Sequence, residues 1–146
     1  MSSAAWQTYH QKAATVRDLL ARLDASDGEL PWDTATAEVF ADQSDLLREL
    51  HQVWTRRLSA RVDQALETGH GGPVDSVTAA WRELADEMPG LRRVLDSHEG
   101  HPALQHSVRT ERRLLAVAAG LATLDDPPWA AAATAARLTG RIAPAA

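Results

Sequence analysis

The chain of 146 residues has no cysteine and a single lysine, Lys12. Without cysteine there is no disulfide framework, no thiolate metal site and no cysteine nucleophile. No stretch approaches the roughly 18 consecutive apolar residues that a membrane-spanning helix needs. The opening residues, MSSAAWQTYHQK, also lack the basic-then-apolar layout of a signal peptide. These absences predict a cytoplasmic protein with no membrane partner, and the excess of arginine and alanine indicates a bacterial, high-GC genome.

Basic residues are missing altogether from residues 24–45, which we call the acidic segment. Its seven carboxylates are Asp24, Asp27, Glu29, Asp33, Glu38, Asp42 and Asp45. Arginines cluster later in the chain, at Arg56, Arg57, Arg61, Arg92, Arg93, Arg109, Arg112 and Arg113. Two interpretations stand: solvated helix faces and loops, or patches of opposite sign that pair with a partner or a second copy. The net charge of −5 disfavours binding to nucleic acid through its phosphates.

Alternating strand patterns are missing as well, and apolar residues instead recur at steps of three and four. The periodicity predicts an all-α fold, a single-domain bundle of five or six helices over residues 1–146. Two helices are expected to be long, at about 44–67 and 102–124, and residues 142–146 to form a frayed tail. The other predicted helices cover about 3–23, 75–88 and 127–141, with short helical segments at about 34–41 and 91–98.

Three of the six histidines fall in HEGHPALQH, residues 98–106. Residues five apart on a helix point away from each other, so the spacing does not bring all three rings together. We interpret the stretch as a helix end, a glycine turn and a helix started by Pro102. No metal, cofactor or catalytic residue is predicted here, and whether His98 and His101 face a common cavity stays open.

His51 lies three residues before Trp54 on the long helix predicted over 44–67. This pattern loosely resembles the DinB-like metal-binding four-helix bundles, whose second helix often carries a histidine near a tryptophan. That family also has two histidines four residues apart on a later helix, whereas the helix predicted over 102–124 holds only His106. The resemblance covers about fifteen residues and leaves a His-dependent metal enzyme as the weakest of our hypotheses.

Other catalytic motifs are missing too. The sequence has no Gly-rich phosphate loop, no G-x-S-x-G elbow and no H-E-x-x-H zinc motif. Glu83 and Glu87 form a carboxylate pair at helical spacing, which is typical of an exposed helix face. The sequence therefore favours a non-enzymatic protein.

Tryptophan is abundant, with five residues against one tyrosine and one phenylalanine. Trp6, Trp54 and Trp81 fall on apolar stripes, so they either fill the core or line a pocket for a flat apolar ligand. Trp32 lies in the acidic segment, near Phe40. It either pins that loop or acts as an exposed aromatic anchor for a partner.

The leading hypothesis is thus a small helical protein that binds a protein partner or a second copy of itself. Trp32, Phe40, Arg112 and Arg113 are its predicted partner-binding residues. The alternative is a small-molecule binding or sensor protein that uses Trp6, Trp54 and Trp81.

Overall fold

All regular structure in the described part of the chain is helical. The computed structural model describes residues 2–69, 71–127, 129–130, 133–134 and 138. Its elements are α1 (Ser3–Leu23), α2 (Thr34–Val39), α3 (Gln43–Thr68), α4 (Pro73–Glu87), α5 (Pro89–Ser97), a 3-10 turn (Pro102–Leu104) and α6 (Gln105–Ala118). No strand occurs among the described residues, so the predicted all-α fold is confirmed. Within those residues, no helix combines the length and the apolar character needed to cross a membrane.

Side-chain caps set the starts of the first helices. The backbone N–H of Ala5 donates to Ser2 Oγ at 3.2 Å, which fixes the start of α1. At α2, Thr36 N–H donates to Asp33 Oδ1 at 2.9 Å, and Asp33 N–H donates to Thr36 Oγ1 at 2.8 Å. This reciprocal pair is a capping box. At α3, Asp45 N–H donates to Asp42 Oδ1 at 2.8 Å.

The second long helix is shorter than predicted. The sequence predicts one helix over 102–124, but the structure has a 3-10 turn followed by α6, which ends at Ala118. Gly120 adopts a left-handed φ of 72°. Its N–H donates to the carbonyl of Val117 at 3.0 Å, and the next N–H, from Leu121, donates to that of Ala116 at 2.9 Å. These two bonds make a Schellman motif, which stops the helix inside its alanine-rich stretch.

The chain divides into two compact units. The first takes Met1–Gln52 and Met88–Leu104, and the second takes Val53–Glu87 and Gln105–Ala146. The single domain over residues 1–146 stays a prediction. The helix predicted over 127–141 and the tail at 142–146 lie largely outside the described residues.

In the first unit, α5 begins against the end of α1. The N–H of Gly90 donates to Asp24 Oδ1 at 3.0 Å, and Arg93 Nη2 donates to the carbonyls of Asp24 at 2.9 Å and Ser26 at 3.2 Å. The buried apolar side chains of this unit are Val16, Leu19, Leu23, Phe40, Leu46, Leu47, Leu50, Leu91, Val94, Leu95 and Leu104.

In the second unit, the rings of Trp54 and Trp81 meet edge to face, with centroids 5.8 Å apart and planes at 73°. Both side chains are buried, at 0% and 8% exposure. This geometry is the preferred one for aromatic pairs and holds α3 against α4 within the unit.

Candidate protein interaction surface

The N-terminal half of α1 is exposed to solvent on all sides. Every residue from 2 to 11 is exposed, and the first buried residue of the helix is Val16. Two large aromatic side chains lie in this stretch, Trp6 at 55% and Tyr9 at 65% exposure. We call residues 2–11 the aromatic segment.

The exposure of Trp6 corrects the expectation that its apolar stripe on α1 faces the core at that position. Val16, Leu19 and Leu23 are buried, but the stripe loses its cover towards the start of the helix. Among the described residues, α1 contacts α2 and α5, of six and nine residues, and Lys12 reaches Glu49 of α3. The helix has 21 residues and is about 31 Å long, and residues 2–11 at its start remain exposed.

His10 organises the exposed aromatic side chains. Its ring lies 4.0 Å from that of Trp6, tilted by 56°, and 5.6 Å from that of Tyr9 in an edge-on arrangement of 87°. Three rings thus form one patch on consecutive turns. Sequence reasoning missed Tyr9 and His10 as surface residues, although the spacing W-x-x-Y-H on a stretch without charged residues was the available signal.

No carboxylate occurs between residues 1 and 17, where Lys12 and Arg17 are the charged residues. The ammonium of Lys12 lies 3.9 Å from Glu49 Oε2 and 5.1 Å above the ring of Phe40. Arg17 is exposed and makes no ion pair within the described residues. The aromatic segment itself contains no Asp, Glu, Lys or Arg, and the exposed Arg17 is followed by the exposed Asp18.

Four carboxylates of the acidic segment serve the local fold. Asp33 caps α2 and pairs with Arg22 Nη1 at 3.5 Å, and Asp24, Asp42 and Asp45 bind backbone N–H groups. The bond from the Thr36 N–H, helped by the charge of Arg22, lowers the pKa of Asp33. The other three, Asp27, Glu29 and Glu38, are exposed and make no hydrogen bond or ion pair in the described part of the chain.

The two aromatic residues of the acidic segment that are predicted to bind a partner differ in their exposure. Trp32 is half-buried, between Pro31 and the start of α2. Phe40 is only 2% exposed and lies under Lys12. Because its ring belongs to the core of the first unit, Phe40 is not available at the surface for a partner.

Arg112 and Arg113 are half-buried on α6. Arg113 is committed within its own unit, since Nη2 donates to the carbonyl of Leu124 beyond the end of the helix. This bond ties the Gly120 turn back onto α6.

The three tryptophans predicted to bind a ligand have different environments. Trp54 and Trp81 pack on each other in the second unit, whereas Trp6 is exposed on α1 and contacts His10. A ligand role for these residues stays a prediction.

An open cavity of about 560 Å³ lies in the second unit, between α3 and α4. Its lining includes small side chains, such as Ala65 and Ala80, and the charged side chains of Arg61 and Glu83. Arg61 Nη1 lies 3.4 Å from Glu83 Oε2, and Nη2 lies 2.5 Å from Glu87 Oε2. The Arg61 guanidinium therefore forms ion pairs with both carboxylates, Glu83 and Glu87. No tryptophan lines the cavity.

The histidines of HEGHPALQH bind local backbone. His98 Nδ1 lies 2.7 Å from the Val94 carbonyl, and His101 Nδ1 accepts from the Ala103 N–H at 3.1 Å. His106 is exposed. Neither His98 nor His101 lines the cavity of the second unit. Within the described residues, no three His, Asp or Glu side chains are grouped so as to hold a metal ion.

His51 is a buried residue of α3, only 3% exposed. Its burial, together with the charge of Arg92, lowers its pKa to about 4. The imidazole is therefore neutral at physiological pH, as expected for a histidine held in a core.

Compared with known proteins, the chain matches no protein-family model, no curated protein and no solved structure.

Proposed function

We propose that this protein acts, without catalysis, by binding a protein partner through the aromatic segment of α1. One observation carries the proposal: Trp6 and Tyr9 are more than half exposed on adjacent turns, while Trp54 and Trp81 of the same chain are buried. As further parts of this proposal, the acidic segment also contributes to partner binding, and the protein is located in the cytoplasm.

Exposed tryptophan and tyrosine are the side chains that most often dominate binding energy in protein interfaces. They offer a large contact area and lose few rotamers on binding. In the aromatic segment, the His10 ring contacts both of these rings. Contacts of this kind restrict side-chain rotation before binding, which lowers the entropic cost of association.

Site-specific photo-crosslinking in cells tests the proposal. Benzoylphenylalanine replaces Tyr9 on the aromatic face, and a matched variant carries it at Gln11, which is also exposed but lies about 160° away around the helix. We expect protein adducts at residue 9 that are weak or missing at residue 11, and that disappear when Trp6→Ser is added. Equal adducts at both positions, or none at residue 9, would contradict the proposal.

The cavity of the second unit favours small-molecule binding as a second candidate. Its volume of about 560 Å³ is within the range of ligand sites, and its walls carry the charged residues Arg61, Asp75 and Glu83. A thermal-shift screen against the intact chain and against Ala79→Trp, which fills the cavity, tests this candidate. Compounds that stabilise only the wild type support it, and a screen without such compounds removes it.

A further inference from the structure

We propose that the cavity of the second unit binds a linear aliphatic diamine, with one ammonium group at Asp75 and the other at Glu83. This inference rests on the second candidate function, small-molecule binding at the same cavity, and names the chemical class of its ligand. The lining residues come from α3, α4 and the turn between these two helices.

Two carboxylates of α4 line the cavity about two helical turns apart. Asp75, Ala79 and Glu83 recur at steps of four residues, so they follow one side of the helix. At 1.5 Å per residue, Asp75 and Glu83 are separated by about 12 Å along the helix axis. This distance is too long for both carboxylates to hold one small ion, but it suits an elongated molecule with a positive group at each end.

The charges of the lining favour a cation. They are one guanidinium, Arg61, and two carboxylates, Asp75 and Glu83, which gives a net charge of −1. Arg61 is already paired with Glu83 at 3.4 Å and with Glu87 at 2.5 Å, so it is not open to an anionic ligand. Asp75 is exposed and makes no ion pair or hydrogen bond within the described part of the chain. It is therefore available to an ammonium group.

A buried hydroxyl in the cavity lining points to a ligand independently of the charges. Ser76 is only 8% exposed and lines the cavity next to Asp75 in the chain. Its Oγ makes no hydrogen bond among the described residues, whereas buried polar side chains nearly always have a partner. An ammonium group has three N–H donors, so one group can serve both the Asp75 carboxylate and the Ser76 hydroxyl oxygen.

Small residues keep the space between the two carboxylates open. Ala65, Ala79 and Ala80 line it, and a β-carbon on Gly69 would overlap Ser76 Oγ and the Ala65 carbonyl oxygen. None of the described lining residues is aromatic, so the cavity offers no ring for a flat ligand to stack on. The alanine methyl groups instead give a methylene chain an apolar surface to pack against.

Isothermal titration calorimetry on the full chain with diamines of increasing length tests the inference. The probes are trimethylenediamine, putrescine and octamethylenediamine, which carry the same two charges at increasing separation. We expect the affinity to rise along this series, because only the longest chain reaches both carboxylates. Octylamine, which has one ammonium group on the same carbon chain, is expected to bind about tenfold more weakly than octamethylenediamine.

Variants at each end of the cavity assign the contacts. Asp75→Asn and Glu83→Gln each remove one carboxylate and are expected to weaken octamethylenediamine binding about tenfold. Ser76→Ala keeps both carboxylates and is expected to weaken it about fivefold. Asp86→Asn is the matched control, because it makes the same change of charge at an exposed position of α4 outside the cavity lining. Its affinity is expected to equal that of the wild type.

General attraction of a dication to a chain of net charge −5 predicts a different pattern. Equal affinities along the length series, or a loss in Asp86→Asn as large as in Asp75→Asn, would overturn the inference. The absence of binding heat with all three diamines would overturn it as well. Circular dichroism checks that each variant is folded, and the length series on the wild type needs no variant.

Ala79→Trp separates this inference from the second candidate function. A diamine that binds the wild type and not Ala79→Trp supports both. A compound of another class with that behaviour, while the diamines fail to bind, overturns the diamine but keeps small-molecule binding at the cavity. If no compound of any class distinguishes Ala79→Trp from the wild type, both are overturned.

Discussion

The Asp24 carboxylate accepts a hydrogen bond of 3.0 Å from the backbone N–H of Gly90, 66 residues further along the chain. This bond is possible because residue 90 has no side chain. A β-carbon there would overlap the Leu23 carbonyl and lie 2.5 Å from Asp24 N, all of which is backbone that cannot move aside cheaply.

Gly90→Ala is therefore expected to destabilise the protein by about 1–3 kcal/mol, as overpacking does. The measurement is urea denaturation followed by circular dichroism. Gly100→Ala is the matched control, because a β-carbon there meets nothing within 4 Å, and it is expected to change stability by less than about 0.5 kcal/mol. Equal stability of the two variants would show that α5 does not pack against α1 this closely.

Gly120→Ala is expected to destabilise the protein for a different reason. A β-carbon at this position meets nothing within 4 Å, but the φ of 72° is strained for an L side chain. The expected loss is about 1–2 kcal/mol. Gly120→Asn tolerates the left-handed region better and should lose less than Gly120→Ala in the same denaturation assay. An order reversed between these two variants would argue against the Schellman motif at the end of α6.

His51 predicts a pH dependence of stability. Its pKa is about 4 in the folded protein and 6.5 as a free side chain, so the unfolded chain binds more protons between these values. The contribution of His51 to stability is therefore full above pH 6.5 and falls as the pH drops towards 4, by a total of about 3 kcal/mol. Denaturation midpoints at a series of pH values measure the slope.

A matched pair of variants assigns that slope. His51→Gln removes the titrating group and is expected to flatten the dependence between pH 6.5 and 4, even though it lowers stability overall. His106→Gln, at an exposed position, is expected to keep the wild-type slope. A slope that survives in His51→Gln would place its origin elsewhere.

Two tryptophans give opposite expectations on truncation. Trp54 is fully buried against Trp81, and Trp54→Ala is expected to cost about 3–5 kcal/mol. Trp6 is 55% exposed, so Trp6→Ala is expected to change the stability of the monomer by less than about 0.5 kcal/mol. Thermal denaturation at low protein concentration compares them. A large loss in Trp6→Ala would mean that the aromatic segment serves the fold and not a partner.

Local signals in the sequence were sufficient for much of the fold. The range predicted for the first helix, about 3–23, agrees with α1. The helix α3 begins one residue before and ends one residue after its predicted range of about 44–67. Both helices combine a strong apolar period with a polar cap. The end of α6 was missed because alanine favours a helix on either side of Gly120, and only the backbone turn there stops it.

The surface was harder to predict than the helices. Periodicity shows which face of α1 is apolar but not how far along the helix its neighbours extend, so Trp6 was expected to fill the core or to line a pocket. Phe40 shows the opposite error. It is flanked by acidic and small residues in the sequence, and its burial depends on distant parts of the chain such as Lys12. Both outcomes depend on tertiary contacts that no local pattern records.

The aromatic segment continues a helix whose other end is already fixed by the buried residues Val16, Leu19 and Leu23. Helix formation is limited by nucleation, whereas each added residue needs only one more backbone bond. The docked end of α1 supplies that nucleus in advance. A partner that binds the exposed turns would therefore stabilise an existing helix against fraying and would not have to nucleate a new one. Its affinity should then increase with the number of turns that it covers.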